Sequence, residues 1–268
     1  MAGDAREHFS AGRLAEAVTA ATAEVRAKPT DVPARLFLAE LLCFAGELER
    51  ADKQLDVIAD QDMSMAVGVA LFRQLIRGEQ ARRQFFAEGR VPEFLDKPPP
   101  RLQLHLQASI ALREGDQAEA ARLLAEAEES RPAVAGTCDD VAFDDLRDLD
   151  DMTAGLFEVL TSTGKYYWVA IESVETIEFK PPQRTRDLIW RQAAMSVRGG
   201  PEGEVFLPVC YANPGVSDDA FRLGRATDWT GGDGLPVLGQ GLRTFLIGEQ
   251  DRTILELGTL HLGASQAP

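Results

Sequence analysis

A glycine–alanine spacing recurs three times in the first half of this chain. Gly12 precedes Ala17, Gly46 precedes Ala51 and Gly115 precedes Ala120. Gly12 and Gly46 are 34 residues apart, and Gly46 and Gly115 are 69 apart, close to two such steps. An alanine stands seven residues before each glycine: Ala5, Ala39 and Ala108. Nine residues after it come Ala21, Leu55 or Leu124, and seventeen after it Pro29 and Pro132, with Met63 in the second copy.

A 34-residue period of this kind is the signature of tetratricopeptide-like helical hairpins. Small residues let two antiparallel helices approach closely, the glycine makes the turn, and the proline stops the second helix. The hairpins read as residues 2–10 with 13–27, 33–44 with 48–59, and 102–113 with 117–130. Asp31 followed by Pro33 fits a helix start. Leu36, Ala39, Leu42 and Cys43 fall on one helical face. Stacked hairpins form a concave groove, and such grooves take peptides or helices. The pattern implies no enzyme.

Between the second and third clear copies, residues 64–95 read as helical but irregular, a degenerate repeat. Its apolar face is followed by Arg77, Arg82 and Arg83, for which two readings stand. The arginines are solvated or paired with neighbouring acids, or they form a basic strip in the groove that selects an acidic or amphipathic helix. The triple proline in KPPPR (97–101) is a stiff break.

The chain has 268 residues, room for two cores, and 43 acids against 28 Lys and Arg. The acidic excess is larger after residue 135. A net charge of −15 disfavours nucleic acid, since nothing here would neutralise phosphates. The opening MAGDAREHF has no apolar run and reads as no secretory signal. No stretch is apolar enough to span a membrane. Three isolated cysteines, Cys43, Cys138 and Cys210, fit a reducing cytoplasm.

Beyond residue 135 the pattern changes. The segment 139–151, DDVAFDDLRDLDD, lacks the glycine and closing glutamate of a calcium loop and reads as a solvated acidic link. Short strands follow: Leu156–Thr161 and KYYWVAI as a hairpin around Gly164, then Thr176–Phe179, Ala193–Val197, Glu204–Tyr211, Leu242–Ile247 and Thr253–Leu260. Arg186–Trp190 reads as a short helical turn. Strands of this length imply a small antiparallel sheet or barrel. The tail GASQAP reads as frayed. The fold class is therefore α+β, with a tetratricopeptide-like domain at 1–135 and a β-rich domain at 136–268.

Motifs for chemistry are sparse. His8, His105 and His261 form no metal-binding spacing, and packing or capping is the expected role of the first two. No GxSxG elbow is present. The run GGDGLPVLGQG (231–241) lacks a GK[ST] ending and reads as a mobile loop. No base lies near Cys138 or Cys210 in the sequence. Tyr166 and Trp168 share one face of a strand, Tyr167 the other, and sheet core is their expected place. Arg186 and Asp187 read as a local ion pair or an exposed recognition patch. No cofactor or metal is expected.

EVLTSTGKYYWVAIESVETIEF, PPQRTRDLIWR, GPEGEVFLPVCY and LGRATDW (223–229) together closely resemble the ImpE/SciE family, whose members are also called TagJ. The motif positions are Tyr166, Tyr167, Trp168, Pro182, Arg186, Asp187, Trp190, Gly224, Arg225 and Trp229. The resemblance covers nearly the whole chain; one departure is Ala170, where a proline is expected after YYWV. It implies a cytoplasmic, non-enzymatic adaptor of type VI secretion systems. Such an adaptor grips an N-terminal helix of the sheath small subunit, TssB, and is associated with the ClpV ATPase that disassembles contracted sheaths. The family brings no catalytic residues, and its motif residues read as structural. The alternatives are a general tetratricopeptide scaffold or chaperone, and an enzyme with its site in the C-terminal domain.

Overall fold

Gly12, Gly46 and Gly115 all adopt left-handed backbone, with φ of +78°, +83° and +82°. That region is cheap only for glycine, so each of the three ends a helix and turns the chain back. A computed structural model describes residues 4–212 and 218–263. The glycines join α1 (Ala5–Ser10) to α2 (Leu14–Ala27), α3 (Val32–Phe44) to α4 (Leu48–Gln61), and α6 (Pro100–Glu114) to α7 (Gln117–Glu129). The six repeat alanines, Ala5, Ala17, Ala39, Ala51, Ala108 and Ala120, are all at 0% exposure. A larger side chain there would hold the paired helices apart. Asp4, Asp31 and Asp116 cap α1, α3 and α7, each accepting a bond from a first-turn N–H.

The expected degenerate repeat is instead one long helix, α5 (Ala66–Glu88), preceded by a 3-10 turn at Met63–Met65. No glycine with left-handed backbone interrupts it until Gly89, and Gly78 stays helical. Arg73 clips α5 to α4 through Asp52 and Asp56, both at 2.8 Å. Pro100 opens α6, where its missing N–H has no partner to lose.

Strands then follow: β1 (Gly136–Cys138), β2 (Val141–Phe143), β3 (Leu146–Asp148), β4 (Leu156–Thr161), β5 (Tyr166–Ala170), β6 (Val174–Phe179), β7 (Trp190–Val197) and β8 (Glu202–Pro208). After a short helix, α8 (Asp219–Arg222), come β9 (Thr227–Gly232), β10 (Leu235–Gly241), β11 (Thr244–Ile247), β12 (Gln250–Thr253) and β13 (Thr259–Leu262). The main sheet is antiparallel, in the order β2-β1-β13-β6-β7-β8-β4-β5. Beyond β5, Glu93 continues the ladder, donating its N–H to Tyr166 and accepting from Trp168. This is the α+β class the sequence implies. Of the tail GASQAP, Gly263 donates its N–H to the Ala135 carbonyl at 2.8 Å, and 264–268 lie outside the described residues.

The strand alternation sorts the core. Leu156, Leu160, Tyr166 and Trp168 join the core of the helices. Phe157, Val159, Tyr167 and Val169 face the other way, with Leu146 of β3 and Phe245 of β11. The apolar core of the helices therefore runs across the change from helix to strand and into one face of the sheet.

Two further expectations are corrected. The acidic segment is not a solvated link: it forms β2 and β3, and Asp148 and Asp150 are buried. Burial of a carboxylate is tolerable only with donors, and donors converge here. Asp148 accepts from Tyr211 at 2.7 Å, Arg243 at 2.6 Å and Thr153 at 3.0 Å, and Asp150 from the N–H of Met152 and Gly239, both at 2.7 Å. The glycine-rich run is not a loop: it completes the β9–β10 hairpin, with left-handed Gly232 and Gly234 at the turn. Gly239 is required because the Tyr211 ring lies 2.3 Å from where a Cβ would stand.

Candidate partner-binding surface

The three arginines of the basic run occupy different settings. Arg82 is 3% exposed and points from α5 into the sheet. Its Nε and Nη2 donate to the two oxygens of Glu158 on β4, each at 2.9 Å, and Nη2 also reaches the Cys210 carbonyl at 3.0 Å. Arg82 is thus paired with a buried acid. It cannot contribute to an exposed strip. Arg77 is exposed. Arg83, with 43% side-chain exposure, donates Nε to Glu79 at 3.1 Å and Nη1 to the Gly46 carbonyl at 2.8 Å.

Glu158 is the hub of a buried network. It also accepts from Tyr166 and from Arg243, and Tyr166 in turn accepts from Trp168 Nε1 at 2.6 Å. Burial pushes the Glu158 carboxyl up, but Arg82 and Arg243 outweigh it and hold it at about 2. Arg243 continues the chain to Asp148, so one run of charges links α5, β4 and β3. Asp150, at the far end, is pushed up to about 7 by burial and by Asp148.

Several of the family-motif residues line the seam between helices and sheet, Trp168, Trp190 and Arg186 among them. The Trp168 ring sits 4.7 Å from Phe85 of α5. Trp190 donates Nε1 to Glu79 at 3.2 Å and meets Phe72 edge-on at 6.0 Å. Tyr167 lies on the opposite face of β5. A 3-10 turn at Thr185–Leu188 brings the buried Arg186 guanidinium over Phe72, 5.5 Å away, and 4.0 Å from Asp187. Asp187 accepts from the N–H groups of Gln183 and Arg184, and Pro182 is exposed. Arg225 donates to the carbonyls of Phe9 at 2.7 Å and Ser10 at 2.9 Å, closing the end of α1. Gly224, left-handed and buried, makes the preceding turn, and Trp229 packs on Tyr211 at 5.6 Å. Asp219 of α8 accepts the Leu14 N–H at 2.8 Å and so caps α2, whose own N-cap residue, Arg13, provides no side-chain bond.

Two concavities flank this seam. One groove, about 570 Å³, runs along α2 past Val18, Thr22 and Arg26, with Arg50 and Asp219 opposite. The other is a cleft of about 360 Å³ between the α3 end, α5 and the segment after β8.

Neither Cys43 nor Cys210 is an activated thiol. Burial pushes the Cys210 thiol up to about 12 and the Cys43 thiol well above its ordinary value. His105 is buried with Nδ1 3.1 Å from the Met152 carbonyl, and burial plus Arg101 bring it down to about 4. Among the described residues no group of three His, Cys, Asp or Glu is placed to hold a metal ion, and no helix is long and apolar enough to cross a membrane. Sequence reasoning missed Glu79, Asp148, Glu158 and Arg243. Only Glu158 left a signal, as a lone charge inside the apolar run LFEVL.

The ImpE protein family profile matches residues 140–261. The chain is 32% identical over 264 residues to the type VI secretion system accessory component TagJ of Pseudomonas aeruginosa, covering 98% of this chain and 92% of that protein. A crystal structure of protein VPA1032 from Vibrio parahaemolyticus superposes with a TM-score of 0.91 at 29% identity, over 97% of each chain.

Proposed function

The chain belongs to the ImpE family, and we propose that it is a non-enzymatic adaptor of a type VI secretion system, working in the cytoplasm. In this reading it grips the N-terminal helix of the sheath small subunit, TssB, and links the sheath to the ClpV ATPase. Residues 1–135 supply a tetratricopeptide-like groove and residues 136–268 the platform that holds it. The observation that carries the reading is the set of helical hairpins, spaced by left-handed glycines and 0%-exposed alanines, on a chain similar along 98% of its length to a type VI accessory component. Hairpins packed in this way present a preformed groove, which lowers the ordering cost of taking up one amphipathic helix.

Co-purification tests it. The tagged chain is expressed with the matching TssB, either whole or lacking its N-terminal helix, and with ClpV. Retention of whole TssB and loss of the shortened form is the expected result. Equal retention of both forms, or of neither, would reject the helix-gripping role.

A further inference from the structure

The cleft of about 360 Å³ has a one-sided charge. Its apolar walls come from both halves of the chain: Phe44 and Phe86 from the helices, Ile189, Pro208 and Phe221 from the C-terminal half. Among the described residues, the single carboxylate in its lining is Glu79. That group is buried and already accepts from Arg82, Arg83 and Trp190. The Arg82 guanidinium is taken up by Glu158. Arg83 is different, because it stands at the rim with 43% of its side chain exposed and its bonds to Glu79 and Gly46 are made by Nε and Nη1. In a protein of net charge −15, this apolar hollow therefore offers a partner a cation and no available anion.

We propose that this cleft seats a bulky apolar side chain of the partner helix, with a carboxylate side chain of the same helix pairing with Arg83. The proposal rests on the helix-binding reading above and deepens it. It makes the recognition site composite, with one wall from α3 and α5 and the other from Ile189, Pro208, Tyr211 and Phe221. The volume suits one or two large side chains and is too small for a helix. The partner thus docks across the mouth and inserts an anchor. An anchor desolvated in such a hollow is the usual source of most binding energy in an interface, and the rim charge adds selection and salt dependence.

Fluorescence anisotropy of a labelled peptide spanning the TssB N-terminal helix tests this on the full chain. The variants are A87W, which fills the cleft from an exposed position on α5, R83E and R83K, with circular dichroism and melting as the check on folding. Wild type binds, A87W and R83E each weaken binding by about tenfold, R83K stays within about threefold, and added salt weakens wild type more than R83E. Binding equal to wild type in both A87W and R83E overturns the cleft while leaving helix binding in place. Weakening by A87W alone overturns the carboxylate pairing. No binding by wild type overturns the helix-binding reading itself, and the cleft with it.

Discussion

Arg82 on α5 and Glu158 on β4, 76 residues apart, meet in a two-point bond with both distances at 2.9 Å. Neither is more than 4% exposed at its side chain. The bond joins the helical half to the sheet at a place where water cannot substitute for either partner. It makes the helices and the sheet one body, and it holds α5, whose rim residues frame the cleft.

Loss of one partner strands the other charges. Glu158→Gln leaves Arg82 and Arg243 buried with less than their full pairing, and destabilisation of about 3–5 kcal/mol is expected. Urea unfolding of wild type and variant measures it. Glu158 is held well below its ordinary value, at about 2. Its contribution is therefore complete above about pH 4.5 and is lost as pH falls towards 2. A variant as stable as wild type at pH 7 would contradict the role of the network.

His105 carries a second pH dependence. Burial, then Arg101, bring its folded value down to about 4 from 6.5. A depressed imidazole leaves the unfolded chain holding more protons, so its contribution is intact above 6.5 and declines as pH falls to 4. The stability difference between wild type and His105→Gln should shrink by about 3 kcal/mol across that window. Denaturant midpoints at four or five pH values measure this, and a constant difference would refute it.

The repeat alanines should reject bulk. Ala39→Leu places three extra carbons at a site with no exposure, and a loss of about 1–3 kcal/mol is expected. In a protein of this length that is about 2–4 °C of melting temperature for each kcal/mol. Ala23→Leu, on the exposed side of α2, is the control and should leave melting unchanged.

Asp219 caps a helix about 200 residues away in sequence, at α2. Asp219→Ala should cost about 1 kcal/mol and speed amide exchange at the start of α2, Leu14 first. Unaltered exchange there would show that the cap is dispensable.

Much of this architecture was legible in the sequence, for reasons particular residues make plain. The Gly–Ala spacing located three hairpins because it records two local demands, a left-handed turn and a close helix contact. Strand pairs such as β4 and β5 were equally local, with Gly164 left-handed at the turn. The buried carboxylates were not legible. Asp148 and Asp150 sit in a run of acids that reads as solvated, and only long-range donors, Arg243, Tyr211 and the Gly239 N–H, reverse that. The glycines of β9 and β10 likewise read as loop until Tyr211 is seen to need the space over Gly239. Arg82 and Arg83 are neighbours in sequence but lie on opposite sides of the burial boundary, a distinction set by α5 packing on the sheet.

The adaptor role meets its most direct test in a calorimetric titration of the full chain with a peptide spanning the N-terminal helix of the matching TssB. A saturable 1:1 isotherm is expected, weakened by added salt and accompanied by a negative heat-capacity change as an apolar anchor is buried. A flat titration at several temperatures, with the protein shown to be folded, would contradict it.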